Sequence, residues 1–525
     1  MQATNRPRLS SRNRRTFLAD VGKGMLVASV GSSLAFDLGL CSASAAEFDD
    51  ALRFGDMEPL VSFMQETPLD KLQSEVLGKL KAGTELKTLV AAAALANARS
   101  FGGQDYDGYH TFMALGPAWE MSKALPESQK ALPILKVLYR NTHRIQNAGG
   151  GHAHEVLHIV EPASLAAGAD GGQLLQQATR AADFDRAESV FAALATGPVG
   201  EAYNHLQYSI QDEIDVHRIV LAWRAWMMLG ITGSQHAHTL LRQSVRYCVD
   251  TEQEMKKHNR QPSAIRTLLP KLLSDHGLLE RTAGTRDPGD PWIETMSALI
   301  FSSKRAQAAE AVAAALAEGI SPEVIGEAIS LAANQLLLHD PGRTAEQTSP
   351  GKPIGSVHGA SVGVHASDSA NAWRNIARVS NPRNTAASLI VGAYHTAEQN
   401  GQVGSEPLEY QQLAKEIGKD RPDELLAVLD AAVRAGDQIR AAAAAFRFGQ
   451  QGHPAADALN VLLQFAVSED GALHAEKYYR TVSEEFAATR TAFQWRHLVG
   501  LARVSASEFG HPAPGQLEAR QLLGL

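Results

Sequence analysis

Histidine carries most of the chemistry this sequence can offer, with 19 in the chain. Four recur in one context, each followed downstream by an aromatic and a charged residue. They are Tyr109-His110…Trp119-Glu120, Val216-His217…Trp223-Arg224, Val364-His365…Trp373-Arg374 and Leu473-His474…Tyr479-Arg480. A second histidine follows each: His143, His236/His238, His395 and His497. Imidazole titrates near neutral pH and ligates transition metals through either ring nitrogen. His358 and His365 are seven residues apart and share one face of a helix, with Asp368 a turn beyond to orient a histidine. The candidate catalytic set is His110, His365, Asp368 and Tyr394. A transition metal is the cofactor such a chain could use, held by His143, His358, His365 and His395. The bland alternative also stands: a histidine recurs because packed helices need its hydrogen bond. Arg224, Arg374 and Arg480 follow an aromatic and suit either an anionic ligand or ion pairs on a solvated face.

A second constellation is His154-Glu155-Val156-Leu157-His158, the letters of a zinc-hydrolase helix. On a helix the two histidines would lie one turn apart on one zinc, with Glu155 polarising its water. Three glycines precede the motif and Pro162 follows it, so any helix there is short. A third histidine six residues on is absent, since Ser164 stands there. The alternative metal site is thus His154, Glu155 and His158, and the motif is expected to fall in a loop.

The elements that must position these groups are helices. Ala-rich amphipathic runs such as Leu89–Asn97 and Ile439–Phe446 dominate, and alternating strand patterns are scarce. One punctuation recurs: a helix ends at a glycine and a polar cap opens the next. The glycines are Gly83, Gly197, Gly319 and Gly436, so the spacing is close to 117 residues. Gly319 suits the left-handed position that ends a helix, Ser321 the cap and Pro322 the first turn of the next. The pattern predicts an all-α helical repeat array of four similar units in two similar halves, residues 47–288 and 289–525. The turn-rich Thr285–Trp292 divides them. The polar stretch Asp340–Ile354 reads as a lid, a binding loop or disorder.

Residues 1–46 read as an export leader. Asn13-Arg14-Arg15-Thr16-Phe17-Leu18 has twin-arginine character, a weakly apolar stretch follows, and Ala43-Ser44-Ala45-Ala46 offers a cleavage site. Lys23 and Asp37 interrupt the apolar stretch, so no stable membrane span is expected after cleavage. The expected partner is the twin-arginine export machinery, and the expected location is periplasmic or secreted. The remaining chain has 43 Lys/Arg against 55 Asp/Glu, a net charge of −12. That balance argues against nucleic-acid binding. Only Cys248 remains, which excludes an internal disulfide and a cysteine-based zinc site.

Three stretches resemble two known families. Ala315–Ala328 is similar to the helical hairpin of the alkylhydroperoxidase/carboxymuconolactone decarboxylase family. That family's Cys-x-x-Cys and histidine have no counterpart in Lys304–Ala311, so its activity is not implied. Tyr109–Glu120 and Ser356–Ala366 resemble the His-led helices of questin-oxidase-like proteins. That resemblance implies a helical oxidoreductase acting on polycyclic aromatic molecules with a nicotinamide cofactor, a cofactor that fits export poorly. The leader resembles those of exported proteins of unassigned function. The combined expectation is an exported, His-dependent and metal-assisted oxidoreductase for a hydrophobic small molecule. The rivals are a zinc hydrolase built on HEVLH and a non-enzymatic helical scaffold that binds a protein or polymer.

Overall fold

The computed structural model describes residues 50–148, 155–357 and 361–525. The leader, His154 and His358 therefore lie outside the described residues. Among those described, the fold is all-α: 23 helices and no strand, with only isolated bridges between segments. In chain order the helices begin with α1 (Glu58–Glu66), α2 (Leu69–Lys81), α3 (Leu86–Phe101), α4 (Tyr106–Lys123), α5 (Leu132–Asn147) and α6 (Gly171–Ala181). There follow α7 (Phe184–Leu194), α8 (Val199–Ile210), α9 (Val216–Thr232), α10 (Ala237–Lys257), α11 (Ile265–Asp275) and α12 (Asp290–Ser302). Next come α13 (Arg305–Ala317), α14 (Pro322–His339), α15 (Val362–Val379), α16 (Pro382–Thr396), α17 (Tyr410–Glu416) and α18 (Pro422–Arg434). The chain ends with α19 (Gln438–Gln450), α20 (Ala455–Ser468), α21 (His474–Ala488), α22 (Trp495–Glu508) and α23 (Gln516–Leu523).

Local chemistry sets the boundaries. Gly319 has φ +80° and ends α13, and Ile320 N–H donates to the Ala315 carbonyl at 3.1 Å. Only glycine takes that backbone region without a Cβ penalty. Ser321 then caps α14, its hydroxyl accepting from Glu323 N–H at 3.3 Å, with Pro322 in the first turn. Gly83 and Gly436 sit in the same left-handed region, at φ +98° and +68°. Gly197 does not share it.

Helices from the two sequence halves interlock. Helix α9 packs on α15, α4 on α21 and α5 on α23. One apolar core runs from Phe54 to Ala519. Helix α3 is buried almost throughout, because Ala91–Ala94 present no bulk and neighbours close in from all sides. A Cβ on Gly363 would lie 2.2 Å from the Leu337 Cα, so the small residues at the start of α15 admit helix α14 rather than a ligand. No described helix is long and apolar enough to cross a membrane.

Candidate functional site

Four helices begin at one place, and each brings a histidine in its first or second turn. His110 is on α4, His217 on α9, His365 on α15 and His474 on α21. The caps that start these helices are local. Asp105 accepts from Gly108 N–H at 2.7 Å, Asp215 from His217 N–H at 2.8 Å and Ser361 from Val364 N–H at 3.2 Å. Helix α21 has no side-chain cap. It is entered through three successive left-handed residues, Gly471, Ala472 and Leu473, at φ +48°, +48° and +65°. For Ala472 and Leu473 that conformation costs about 1–2 kcal/mol each. Burial of Leu473 and an ion pair between fully buried Lys136 and Glu476, at 2.6 Å, hold the turn in place.

The four imidazoles form a ring in chain order. Centroids are 4.8 Å apart for His110–His217, 5.7 Å for His217–His365, 5.5 Å for His365–His474 and 5.3 Å for His474–His110. The supporting helices touch in the same cyclic order.

In three of the four, Nδ1 faces an oxygen. His110 Nδ1 donates to the Tyr106 carbonyl at 2.7 Å, and His474 Nδ1 donates to the Ala472 carbonyl at 3.1 Å. His217 Nδ1 lies 3.5 Å from Asp215 Oδ1. A neutral imidazole with a proton on Nδ1 has a bare Nε2, the usual preparation of a metal-ligating histidine. Nε2 of His110 and of His217 is buried without a hydrogen-bond partner among the described residues. Nε2 of His365 and of His474 face each other at 3.4 Å. Two ligands on one tetrahedral ion with bonds of ~2.1 Å stand about 3.4 Å apart. As placed, no three His, Cys, Asp or Glu donors among the described residues form a complete metal set. The four rings are therefore not at the distances of one ion's ligands. Without an ion, His365 Nε2–H can donate to His474 Nε2.

The surroundings keep His110, His365 and His474 neutral. His110 is pushed far below its ordinary value by burial first, then by Lys477 and His217. His365 falls to about 3, through burial, His217 and Lys477. His474 falls well below its ordinary value, through burial and then Lys477. Four helix N-termini add partial positive charge at the same point. Lys477 itself is pulled down to about 8, because burial strips water from its ammonium against the support of Asp368 and Glu476. Burial raises Asp215, but bonds from His217 and Tyr247 outweigh it and hold the carboxylate well below its usual range. Tyr247 O–H donates to Asp215 Oδ2 at 2.8 Å.

An aromatic wall and a cleft complete the site. Tyr106 lies 4.3 Å from the His110 ring and Tyr109 lies 5.0 Å from it. A cleft of about 260 Å³ reaches His110 and His474, bordered by Tyr106, Arg140, His143 and Lys352. Lys352 comes from the polar Asp340–Ile354 stretch, which is pinned by the Arg343–Ser356 and Ser349–Lys352 backbone bonds. That stretch thus serves as a wall of the cleft.

Of the residues singled out from sequence, His110 and His365 belong to the ring. Asp368 is buried near Lys477, and its Oδ1 accepts from the Thr481 hydroxyl at 2.7 Å rather than from a histidine. His395 stands outside the ring contacts, its Nδ1 accepting the Trp373 indole N–H at 3.3 Å. Tyr394 is buried, with the Arg305 guanidinium 5.9 Å from its ring. His143 borders the cleft and bonds Asn147 at 3.0 Å. The later histidines do not converge: His238 stacks on Phe191, and His497 bonds Thr489. Arg374 is buried in an ion pair with Glu485 at 2.7 Å.

The HEVLH stretch is not helical from Glu155 onward. Glu155 pairs with buried Arg99 at 2.9 Å and accepts from Gln65, while His158 Nε2 bonds the Glu155 carbonyl. The described part of the motif therefore lacks the helix a hydrolase would need. Its carboxylate is spent on an arginine.

Asp215, Tyr247 and Lys477 were not singled out from sequence. Asp215 precedes His217 as a helix cap, and Lys477 sits one turn after His474, so both signals were local and readable. The pairing of Tyr247 with Asp215 spans 32 residues and left no local trace. No protein-family model, curated protein or solved structure matches this chain.

Proposed function

We propose that the His110–His217–His365–His474 ring binds one transition-metal ion and that the protein is an exported, metal-dependent oxidoreductase for a hydrophobic small molecule. The observation that carries this reading is the pair of buried, unpartnered Nε2 atoms on His110 and His217 beside the His365–His474 Nε2 contact, with Nδ1 of three rings turned to oxygens. Burying an imidazole nitrogen without a partner costs about 1–3 kcal/mol, and a metal bond removes that cost. A redox-active ion there would supply electron exchange with a bound substrate. The chain's own residues do the rest. Asp215 and the Tyr106 and Ala472 carbonyls orient the rings. Tyr106 and Leu473 offer apolar surface beside them, and the cleft admits a molecule edge-on to His110 and His474. Lys477, deep in the cluster, is placed to hold or release a proton.

Export in the folded state by the twin-arginine route is consistent with this reading, because it lets an ion be loaded before translocation. A scaffold has no use for four converging imidazoles, two of them with a buried Nε2 left without a partner. The similarity of Tyr109–Glu120 and Ser356–Ala366 to questin-oxidase-like proteins supports an aromatic substrate.

The test is titration of metal-free protein with cobalt(II). Ligand-field absorption that saturates at one equivalent, and disappears in His365→Ala, is expected. Absorption that survives His365→Ala, or never develops, would refute the site.

A further inference from the structure

A second cleft, of about 440 Å³, lies away from the histidines between α6, α8, α11 and the start of α16. Its size falls within the range of small-molecule sites. One wall is polar and cationic, with Arg180, Arg266, Arg383 and Tyr208. The apolar part of the lining is Leu279 and the edge of Leu269, with Ile265 and Leu273 fully covered behind them. Leu279 is 52% exposed at the rim, a large apolar side chain left without cover.

The charges of the polar wall do not all cancel. Arg180 forms a two-pronged pair with Asp212, with both bonds at 2.7 Å. Arg266 pairs with Glu213 at 2.7 Å and Glu252 at 2.5 Å. Arg383 has no carboxylate within ion-pair distance among the described residues. Its guanidinium lies over the Tyr208 ring, 4.0 Å from the centroid. One nitrogen, Nη1, donates to the Gln211 and Asn384 side-chain oxygens. Nε and Nη2 have no acceptor among the described residues. Burial draws this guanidinium below its usual value. Arg383 is half-buried, so its free donors are open to the cleft and placed to take an anion.

We infer that this cleft is a binding site for a small carboxylate with an apolar body of about two rings, its carboxylate paired with Arg383 and its body laid against Leu279 and Leu269. The planar fork of arginine suits two-pronged recognition of a carboxylate. The contact with Tyr208 helps hold that fork in place. The site shares no residue with the histidine ring, and it stands whether or not the ring binds metal.

The test is isothermal titration of the full mature protein with 1-naphthoate, the neutral 1-naphthalenemethanol and inorganic phosphate. One molecule of naphthoate per chain is expected. The alcohol and phosphate should each bind about tenfold or more weakly, and Arg383→Gln should lower naphthoate affinity by about tenfold or more. Leu279→Ser, at an exposed rim position, should weaken it a few-fold. His365→Ala should bind as wild type. Equal binding of acid and alcohol, or no effect of Arg383→Gln, would overturn the carboxylate assignment. Phosphate binding as tightly as naphthoate would overturn the apolar half. Loss in His365→Ala would place the ligand at the histidines instead. Should Arg383→Gln not fold, Leu279→Ser and the acid–alcohol comparison decide the matter.

Discussion

His365 and His474 face each other, Nε2 to Nε2, at 3.4 Å across the junction of two helix N-termini. Their helices are 109 residues apart in the chain and meet directly. Two unprotonated nitrogens at that distance repel unless a proton or a metal ion lies between them. The carbonyl of Ala472 holds the proton of His474 on Nδ1, so the choice falls to His365 or an ion. Much of the chemistry argued for this protein turns on that contact.

Asp215 ties the ring to its support, and its loss should be costly in two ways. It caps α9, bonds Tyr247 and stands 3.5 Å from His217 Nδ1. Asp215→Asn keeps the shape and removes the charge. Metal affinity is expected to fall about 10- to 100-fold, measured by competition with a chelator. Asp215→Ala should in addition lose about 1 kcal/mol of stability as the cap goes. Unchanged affinity in Asp215→Asn would mean that His217 needs no partner to hold its ring.

Arg99 tests the competing motif. Its side chain is fully buried between Glu58 and Glu155, at 2.7 and 2.9 Å. Arg99→Ala strands carboxylates in the interior, and a loss of about 3–5 kcal/mol is expected in urea unfolding. His158→Ala should leave metal content and oxidoreductase activity unchanged. A hydrolytic activity that vanished with His158 would restore the zinc-hydrolase reading.

Acid should weaken the fold through histidines outside the ring. His497 is buried and His238 half-buried, and both fall to about 4. Burial is the first cause for each. Arg374 and Arg496 add to it at His497 against Glu485, and Arg242 adds to it at His238 against Glu188. Between pH 6.5 and 4 the unfolded chain therefore holds more protons than the folded one. Stability falls as pH drops through that window, by up to about 1.4 kcal/mol per pH unit for each histidine. Stability should be independent of these groups above pH 7. His497→Gln should remove one histidine's share of the slope in denaturant titrations at pH 4.5 and 6. An identical slope in the variant would show that His497 protonates as readily folded as unfolded.

Gly363 is a packing test of the helix that carries His365. Its absent side chain admits the Leu337 backbone, with no room for a methyl group. Gly363→Ala must push α15 away from α14, a cost of about 1–3 kcal/mol. A shift of His365 should follow, seen as weaker cobalt binding alongside a lower Tm. A stabilised variant would mean that the two helices already have slack.

The helical class was legible because Ala-rich runs and glycine–cap junctions write their period into the chain. The turn at Gly319-Ile320-Ser321-Pro322 formed as its residues dictate. The recurrence of an aromatic-flanked histidine pointed to His110, His217, His365 and His474 together. Choosing among them on local resemblance kept His110 and His365 and passed over His217 and His474. Which histidine of each pair turns inward depends on where a helix begins relative to its neighbours. That is a property of packing, which spacing along one helix does not encode. Asp368 looked like a histidine's partner on its own helix, yet Thr481 from α21 reaches it first. His395 was drawn off by Trp373 in the same way. From Glu155 onward the HEVLH stretch is not helical, in keeping with its flanking glycines and proline, while the claim of Arg99 on Glu155 was invisible at 56 residues' separation.

The most direct test is metal content by mass spectrometry on protein matured through its own export route. Wild type is compared with His365→Ala/His474→Ala and with His154→Ala/His158→Ala. Close to one equivalent of a transition metal in wild type, absent from the first double variant and retained in the second, is the predicted result. No metal in wild type, or metal lost only from the second variant, would contradict the four-histidine site.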